Sequence, residues 1–320
     1  MKDSCSSIST IFRRVTAPFR RWPLSVVFLT VSAAALLTSC RQKDIVDPDE
    51  MMRVTVDFDW LHAEGAEPED MTVLFFPADV DGRSWRFDIP GRDGGDVELF
   101  PGLYRVIAYN NDLPGVLMAN TDSYDTCEAT VRMTNDTLSQ PTGMLYGANL
   151  SYVPVGSNHG HPQAITLTPD SLATVYHIRM DSVSGTHRIK TARAVINGIA
   201  SSVCLQLQRN SETTCCVSTT LQILPLARST LEAVATGFGN PSVPNPRITL
   251  DVVVTTSHAT YKKSFDVTDQ VMNSSNPRDV NIYIQGMVIP EADLPDNPDE
   301  NDVGISVGVD GWQVIEITYS

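Results

Sequence analysis

Val54-Thr-Val-Asp-Phe-Asp-Trp60 alternates apolar and polar residues without a break. A period of two sends Val54, Val56, Phe58 and Trp60 to one side of an extended chain and Thr55, Asp57 and Asp59 to the other. The segment is therefore a β-strand with one face in a core and one in water. The same alternation returns at Ile248, Leu250, Val252 and Val254, and again at Val280, Ile282 and Ile284. Just after the first strand, apolar runs predict further strands over 71–77, 84–89, 96–100 and 103–110. Their separators are Pro68, Asp81-Gly82, Asp93-Gly94-Gly95 and Pro101-Gly102, residues that fix or free φ and so favour turns. No helical period competes over this region. The reading is an all-β domain over 51–153, a sandwich rather than a barrel.

A loop-rich stretch with Pro154, Gly156, Gly160 and Pro162 is the expected boundary to a second β-sandwich over 163–288. Its expected strands are 164–168, 173–180, 191–199, 203–208, 215–224, 230–238, 248–256, 260–267 and 279–285. Between Ile289 and Asp302 lie three prolines and six acids, a composition that buries no core, so 289–303 reads as a solvated connector. The remainder, 304–320, carries a last β segment over 305–309 and 312–319.

The N-terminus reads differently. Arg13, Arg14, Arg20 and Arg21 precede an uncharged, largely apolar run that ends in Leu37-Thr-Ser-Cys40. From Leu24 to Leu37 that run is 14 residues, short of the ~20 a helix needs to cross a bilayer, so a cleaved signal over 1–39 fits better than a permanent anchor. Leu, two small residues and Cys resemble the lipobox of bacterial lipoproteins. Cys40 is thus the expected lipidation site and the first residue of the mature chain. Residues 40–50, with Asp44, Asp47, Asp49 and Glu50, read as an acidic tether.

Removing residues 1–39 leaves 37 acidic and 18 basic residues, a formal charge of −19. Nucleic-acid binding depends on clustered Lys and Arg, and nothing after Arg21 supplies a cluster, so nucleic acid is not an expected partner. Cys127, Cys204, Cys215 and Cys216 remain in the mature chain. Export permits a disulfide from Cys204 to Cys215 or Cys216, and buried thiols acting as small apolar residues are the competing reading. No metal site is expected, since neither a Cys-x-x-Cys nor a paired-His spacing occurs, and Asn158-His-Gly-His161 offers only two ligands on a glycine-rich loop. Asp57, Asp59 and Glu98 fall on a wet sheet face, where acids serve solubility. With no nucleophile motif, phosphate loop or acid pair, no enzyme activity and no cofactor are expected.

Three segments carry a family resemblance: Arg53-Val-Thr-Val-Asp-Phe-Asp-Trp60, Glu69-Asp-Met-Thr-Val-Leu-Phe-Phe-Pro77, and Leu103-Tyr-Arg-Val-Ile-Ala-Tyr-Asn-Asn-Asp112 with Asn120-Thr-Asp-Ser-Tyr124. Phe265-Asp-Val-Thr268, Asn276-Pro-Arg-Asp-Val280 and Val309-Asp-Gly-Trp312 agree with them. Together they resemble a Bacteroidales family of fimbrillin-like cell-envelope lipoproteins, a domain of unknown function similar to fimbrial anchor subunits. The resemblance implies two tandem transthyretin-like β-sandwiches, lipid attachment to the outer membrane with surface exposure, and fimbrial subunits or other envelope proteins as partners. Related shaft subunits lose a first strand to an Arg-directed protease. Here Arg53 opens the first strand, so a cut after it would leave nearly the whole strand in place, which favours an anchor or a stand-alone surface lipoprotein over a shaft subunit.

Such an anchor or adhesion module works by strand addition, in which an exposed sheet edge accepts a neighbour's strand. The segment 312–319 is expected either to close its own sheet or to be lent. The rival reading is a glycan-binding surface lipoprotein beside an outer-membrane nutrient transporter, which would need an exposed aromatic platform, and Trp60, Trp85 and Trp312 are too scattered in sequence to show one. Asp136-Thr137-Leu138, Asp170-Ser171-Leu172 and Asp181-Ser182-Val183 match a short triplet for O-linked glycans in this group. That makes Thr137, Ser171 and Ser182 candidate modification sites.

Overall fold

The computed structural model describes residues 51–79, 83–133, 139–156, 163–257, 259–290 and 311–315, all of them within one compact unit, Glu50–Ser320. The fold is all-β. Among the described residues the helical pieces are a 3-10 turn at Thr186–Arg188 and a five-residue helix α1, Thr268–Met272.

The first half contains β1 (Met52–Phe58), β2 (Asp70–Pro77), β3 (Trp85–Pro90), β4 (Gly94–Leu99), β5 (Gly102–Asn110), β6 (Val116–Ala119), β7 (Glu128–Val131), β8 (Tyr146–Val155), β9 (Gln163–Leu167) and β10 (Asp170–Ser171). A three-stranded sheet, β4-β1-β9, faces a five-stranded sheet, β10-β8-β5-β2-β3. The apolar faces predicted by alternation meet between them. Val54, Val56 and Phe58 of β1 pack with Met71, Val73 and Phe75 of β2, Val106 and Ala108 of β5, and Leu167 of β9.

The second half contains β11 (Thr174–Asp181), β12 (Thr191–Ala200), β13 (Ser202–Cys204), β14 (Arg209–Asn210), β15 (Thr214–Thr220), β16 (Gln222–Ile223), β17 (Leu231–Gly237), β18 (Thr249–Thr255), β19 (Thr260–Asp266), β20 (Asp279–Gln285) and β21 (Gln313–Ile315). Sheets β16-β17-β11-β20 and β15-β12-β18-β19-β21 enclose the other core. Tyr176 and Ile178 of β11 meet Val280 and Ile282 of β20, Leu250 and Val252 of β18, and Ile196 of β12.

Two features depart from the expected division at 154–162. Gln163–Leu167, expected to open the second sandwich, pairs in parallel with β1, from Val54 opposite Gln163 to Phe58 opposite Leu167. The cores also do not divide there. The sheet holding β2 and β5 is apolar on both faces, so Leu74, Phe76, Ile107 and Tyr109 turn away from the first core and pack into the second. A strand buried on both sides reads as a continuous apolar run, which is what 73–76 shows. A fifth sheet, β14-β13-β7-β6, draws two strands from each half.

The outward face of β18 carries a buried acid. Asp251 is 8% exposed, 2.8 Å from Lys262 Nζ, and accepts a 2.6 Å hydrogen bond from Ser264 Oγ. Burial pushes its carboxyl up, but hydrogen bonds from Lys262, Ser264 and Asn197 outweigh this and hold it below the usual 3.8. A folded-state value below the unfolded one contributes stability that is present at neutral pH and lost as the pH falls through the folded value. The stability gap between wild type and Asp251→Asn is therefore constant from neutral pH down to about pH 4 and narrows below it. Denaturant unfolding at successive pH values measures this, and a gap that stays constant into acid would remove Asp251 from the acid limb.

Candidate subunit-contact edges

A strand can be added only at an unpaired sheet edge, so the state of each edge decides where one could dock. The C-terminal edge is β21, paired antiparallel with β19 through Lys262–Gln313, Tyr261–Val314 and Thr260–Ile315. Trp312 just before it is 1% exposed, donates from Nε1 to the Val288 carbonyl at 2.9 Å, and sets its ring edge-on to Tyr261 at 6.5 Å. Residues 312–315 thus complete their own sheet. The rest of the expected segment, 316–319, and the expected strand 305–309 lie outside the described residues.

Several other edges are blocked. On β20, the Gln270 side chain of α1 imitates a neighbouring strand: its amide nitrogen donates to Tyr283 O at 3.1 Å and its oxygen accepts from Tyr283 N at 2.7 Å. On β15, Ser139 donates to Cys216 O from both N and Oγ. β3 carries the Arg86–Asp88 pair, and β4 carries Asp96, held by Arg53 at 3.2 Å. Charge and side-chain capping of this kind deter edge-to-edge association. Among the described residues, β6 closes its sheet without either device. Its sequence, Val116-Leu-Met-Ala119, is uncharged, and Leu117 is exposed. Sequence reading missed both β6 and the Gln270 cap, since four apolar residues carry no period and a cap is a tertiary contact.

The other candidate residues are dispersed. Arg53 sits on β1, the middle strand of its sheet, so a cut after it would leave Val54–Phe58 paired on both sides. Asp57, Asp59 and Glu98 are exposed, as expected of a wet face. Ser171 is half-buried, with its hydroxyl donating to Ala173 O, whereas Ser182 is exposed at positive φ. Cys40, Thr137, His159 and His161 lie outside the described residues. The four cysteines among the described residues are free: Cys204 lies on β13, while Cys215 and Cys216 lie on β15 of another sheet. Burial pushes the Cys127 thiol up to about 12 and that of Cys215 up to about 11, which keeps both protonated and unreactive at neutral pH.

No aromatic platform forms from the named tryptophans. Trp60 and Trp312 are buried, and Trp85 alone is exposed, edge-on to Phe100. A cavity of about 690 Å³ lies on the water-facing side of β11, β17 and β20, lined by His177, Arg179, Glu232, Val234, Asn281 and Tyr283. Its polar side chains already have partners: Arg179 pairs with Asp181 at 3.0 Å and Glu232 at 2.7 Å, and His177 Nε2 lies 3.1 Å from Asp279. Among the described residues no helix is long and apolar enough to cross a membrane.

Comparison with known proteins agrees with this architecture. A candidate fimbrium anchoring subunit, Fim4B of Bacteroides ovatus, is 32% identical over 99 residues. That match covers 31% of this chain and 29% of the relative, so the chain spans less than a third of that protein's length. The crystal structure of a candidate adhesin from Bacteroides ovatus superimposes with a TM-score of 0.63 at 18% identity, covering 82% of this chain and 99% of that one. The fimbrial anchor protein Mfa2 of Porphyromonas gingivalis superimposes with a TM-score of 0.50 at 13% identity, covering 83% and 95%. At these identities the two structures share the fold. Residues 39–222, more than half of the sequence, match the family described as a domain of unknown function, DUF5119, and the chain belongs to that family.

Proposed function

We propose that the chain is a non-catalytic fimbrial anchor or assembly lipoprotein, tethered to the outer membrane through lipid on Cys40 and holding a neighbouring subunit by strand addition. The observation that carries it is the contrast among sheet edges: β20, β15, β3 and β4 are capped or charged, whereas β6, uncharged and uncapped among the described residues, also presents the exposed Leu117. In this reading the halves are the tandem transthyretin-like sandwiches of fimbrial proteins, which the shared fold with Mfa2 supports. β21 closes the second half instead of being lent.

The test uses cells expressing wild type, Cys40→Ala and Leu117→Lys. Wild type is expected to partition with membranes and to co-purify with a fimbrial shaft subunit. Cys40→Ala carries no labelled fatty acid and loses the membrane partition the lipid confers, an acyl chain contributing about 0.8 kcal/mol per buried methylene. Leu117→Lys stays membrane-bound and loses the co-purifying subunit. Membrane retention and labelled fatty acid in Cys40→Ala would sink the lipid site, and unchanged co-purification in Leu117→Lys would sink the edge.

A further inference from the structure

A second cavity, of about 320 Å³, opens where the starts of β11 and β20 meet the turn into β14, and Arg209 and Arg278 line it with Gln208, Asn210, Asn240 and Thr174. In a chain whose formal charge is −15, two arginines line one small cavity. Among the described residues neither is in an ion pair. Arg278 is half-buried, with a single side-chain hydrogen bond, from NH1 to Leu172 O at 3.1 Å, and Arg209 donates only from Nε to Ser242 Oγ. Burial lowers the Arg278 pKa from its ordinary value, with Asp170 and Tyr176 acting against it from beyond contact. A desolvated guanidinium without a carboxylate is costly unless a ligand supplies one.

The rest of the lining adds amide and hydroxyl groups, several of whose donors are already engaged. Asn210 Nδ2 donates to Phe238 O and Asn240 O, Gln208 Nε2 to Gly147 O, and Thr174 Oγ1 to Pro277 O. Acceptors are left over, and Asn240 Oδ1 is buried with no partner at all. A buried oxygen in that position requires a donor, from water or from a ligand. Sulfate carries only acceptors at neutral pH and inorganic phosphate only one or two hydroxyl donors, so neither can satisfy such acceptors as fully as a polyhydroxylated anion. The backbone is also committed to this shape: Gln208 has φ 50, and Gly239 has φ +88, where a Cβ would meet Thr174 Oγ1 at 2.7 Å.

We propose that this cavity binds an acidic saccharide, its carboxylate held by Arg209 and Arg278 and its hydroxyls donating to the amide oxygens of Asn240 and Asn210. Sugar acids combine one anionic acceptor with several donors, which matches the two guanidinium groups and the spare oxygens. The fork of Arg278 suits a planar carboxylate better than an ammonium would. No aromatic platform is required, and the inference stands apart from strand-edge assembly.

The experiment titrates the full chain in detergent with a glucuronosyl disaccharide, its neutral glucosyl counterpart, inorganic phosphate and an acidic peptide, by saturation-transfer NMR and calorimetry. The glucuronosyl sugar is expected to bind about tenfold or more tightly than the glucosyl one, the worth of one charge-assisted pair. Arg278→Lys and Arg209→Gln should each erase most of that preference without a change in melting temperature. Arg209 is exposed, so its variant tests the site even if Arg278→Lys fails to fold. No binding, equal binding of the two sugars, phosphate or the peptide binding as tightly as the glucuronosyl sugar, or an unchanged preference in Arg209→Gln would each overturn the proposal.

Discussion

Trp312→Ala lowers the unfolding free energy by about 3–5 kcal/mol, the range for emptying a well-packed aromatic site. The indole is 1% exposed, so its removal leaves a void that the strands around it cannot close without shifting β19, against whose Tyr261 it packs. Its Nε1–H also satisfies the Val288 carbonyl, so the variant leaves an acceptor short of a donor. At about 2–4 °C per kcal/mol for a domain of 150–250 residues, the melting temperature should fall by roughly 10 °C. Deleting residues 312–320 should cost at least as much, since the β19–β21 pairing goes as well. The result separates two uses of the C-terminal segment. A strand held ready for a neighbour would leave the truncated monomer's melt unchanged and abolish association instead. A thermal melt together with size-exclusion chromatography of both forms decides it, and a melt within about a degree of wild type would show that Trp312 is not a plug.

How much of this was legible in the sequence depends on the range of the contacts. β1, β18 and β20 announced themselves through period-two alternation, and β20 matches its expected bounds residue for residue, because β1 and β20 each keep one wet face that writes the pattern locally, whereas β18 alternates in sequence although both its faces are buried. The parallel pairing of β9 with β1 joins residues more than a hundred positions apart and has no local signature. The shared layer was available in principle: Val73, Leu74, Phe75 and Phe76 are consecutive apolar residues, and a strand with no polar face implies cover on both sides. Val203–Gln208 was expected to stay extended, but it leaves the sheet after Cys204 and turns, with Gln208 at positive φ. That turn is what brings Arg209 to the cavity it shares with Arg278. Neither arginine stands out in sequence, since a binding wall assembled from four loops exists only after folding.

Backbone demands at glycine provide the sharpest remaining test of the register. Gly198 lies at the irregularity of β12 between Asn197 and Ile199, with φ +85, and a Cβ there would stand 2.2 Å from Arg247 O. That neighbour is backbone and cannot rotate away, so Gly198→Ala must displace the segment leading into β18 as well as accept a left-handed residue. The strained conformation alone costs about 1–3 kcal/mol, and the displacement adds to it, so about 3 kcal/mol or more is expected. Gly286 isolates the first contribution: it has φ +74 but nothing within 4 Å of a Cβ, so Gly286→Ala should cost only about 1 kcal/mol. Gly65 has neither constraint, and Gly65→Ala should be neutral or stabilising by a few tenths of a kcal/mol through the unfolded chain. Denaturant unfolding of the three variants should therefore rank them 198, 286, 65 in order of loss. If Gly198→Ala proved no worse than Gly286→Ala, the close approach of β12 to Arg247 would not exist, and the placement of β12 between β15 and β18 would have to be redrawn.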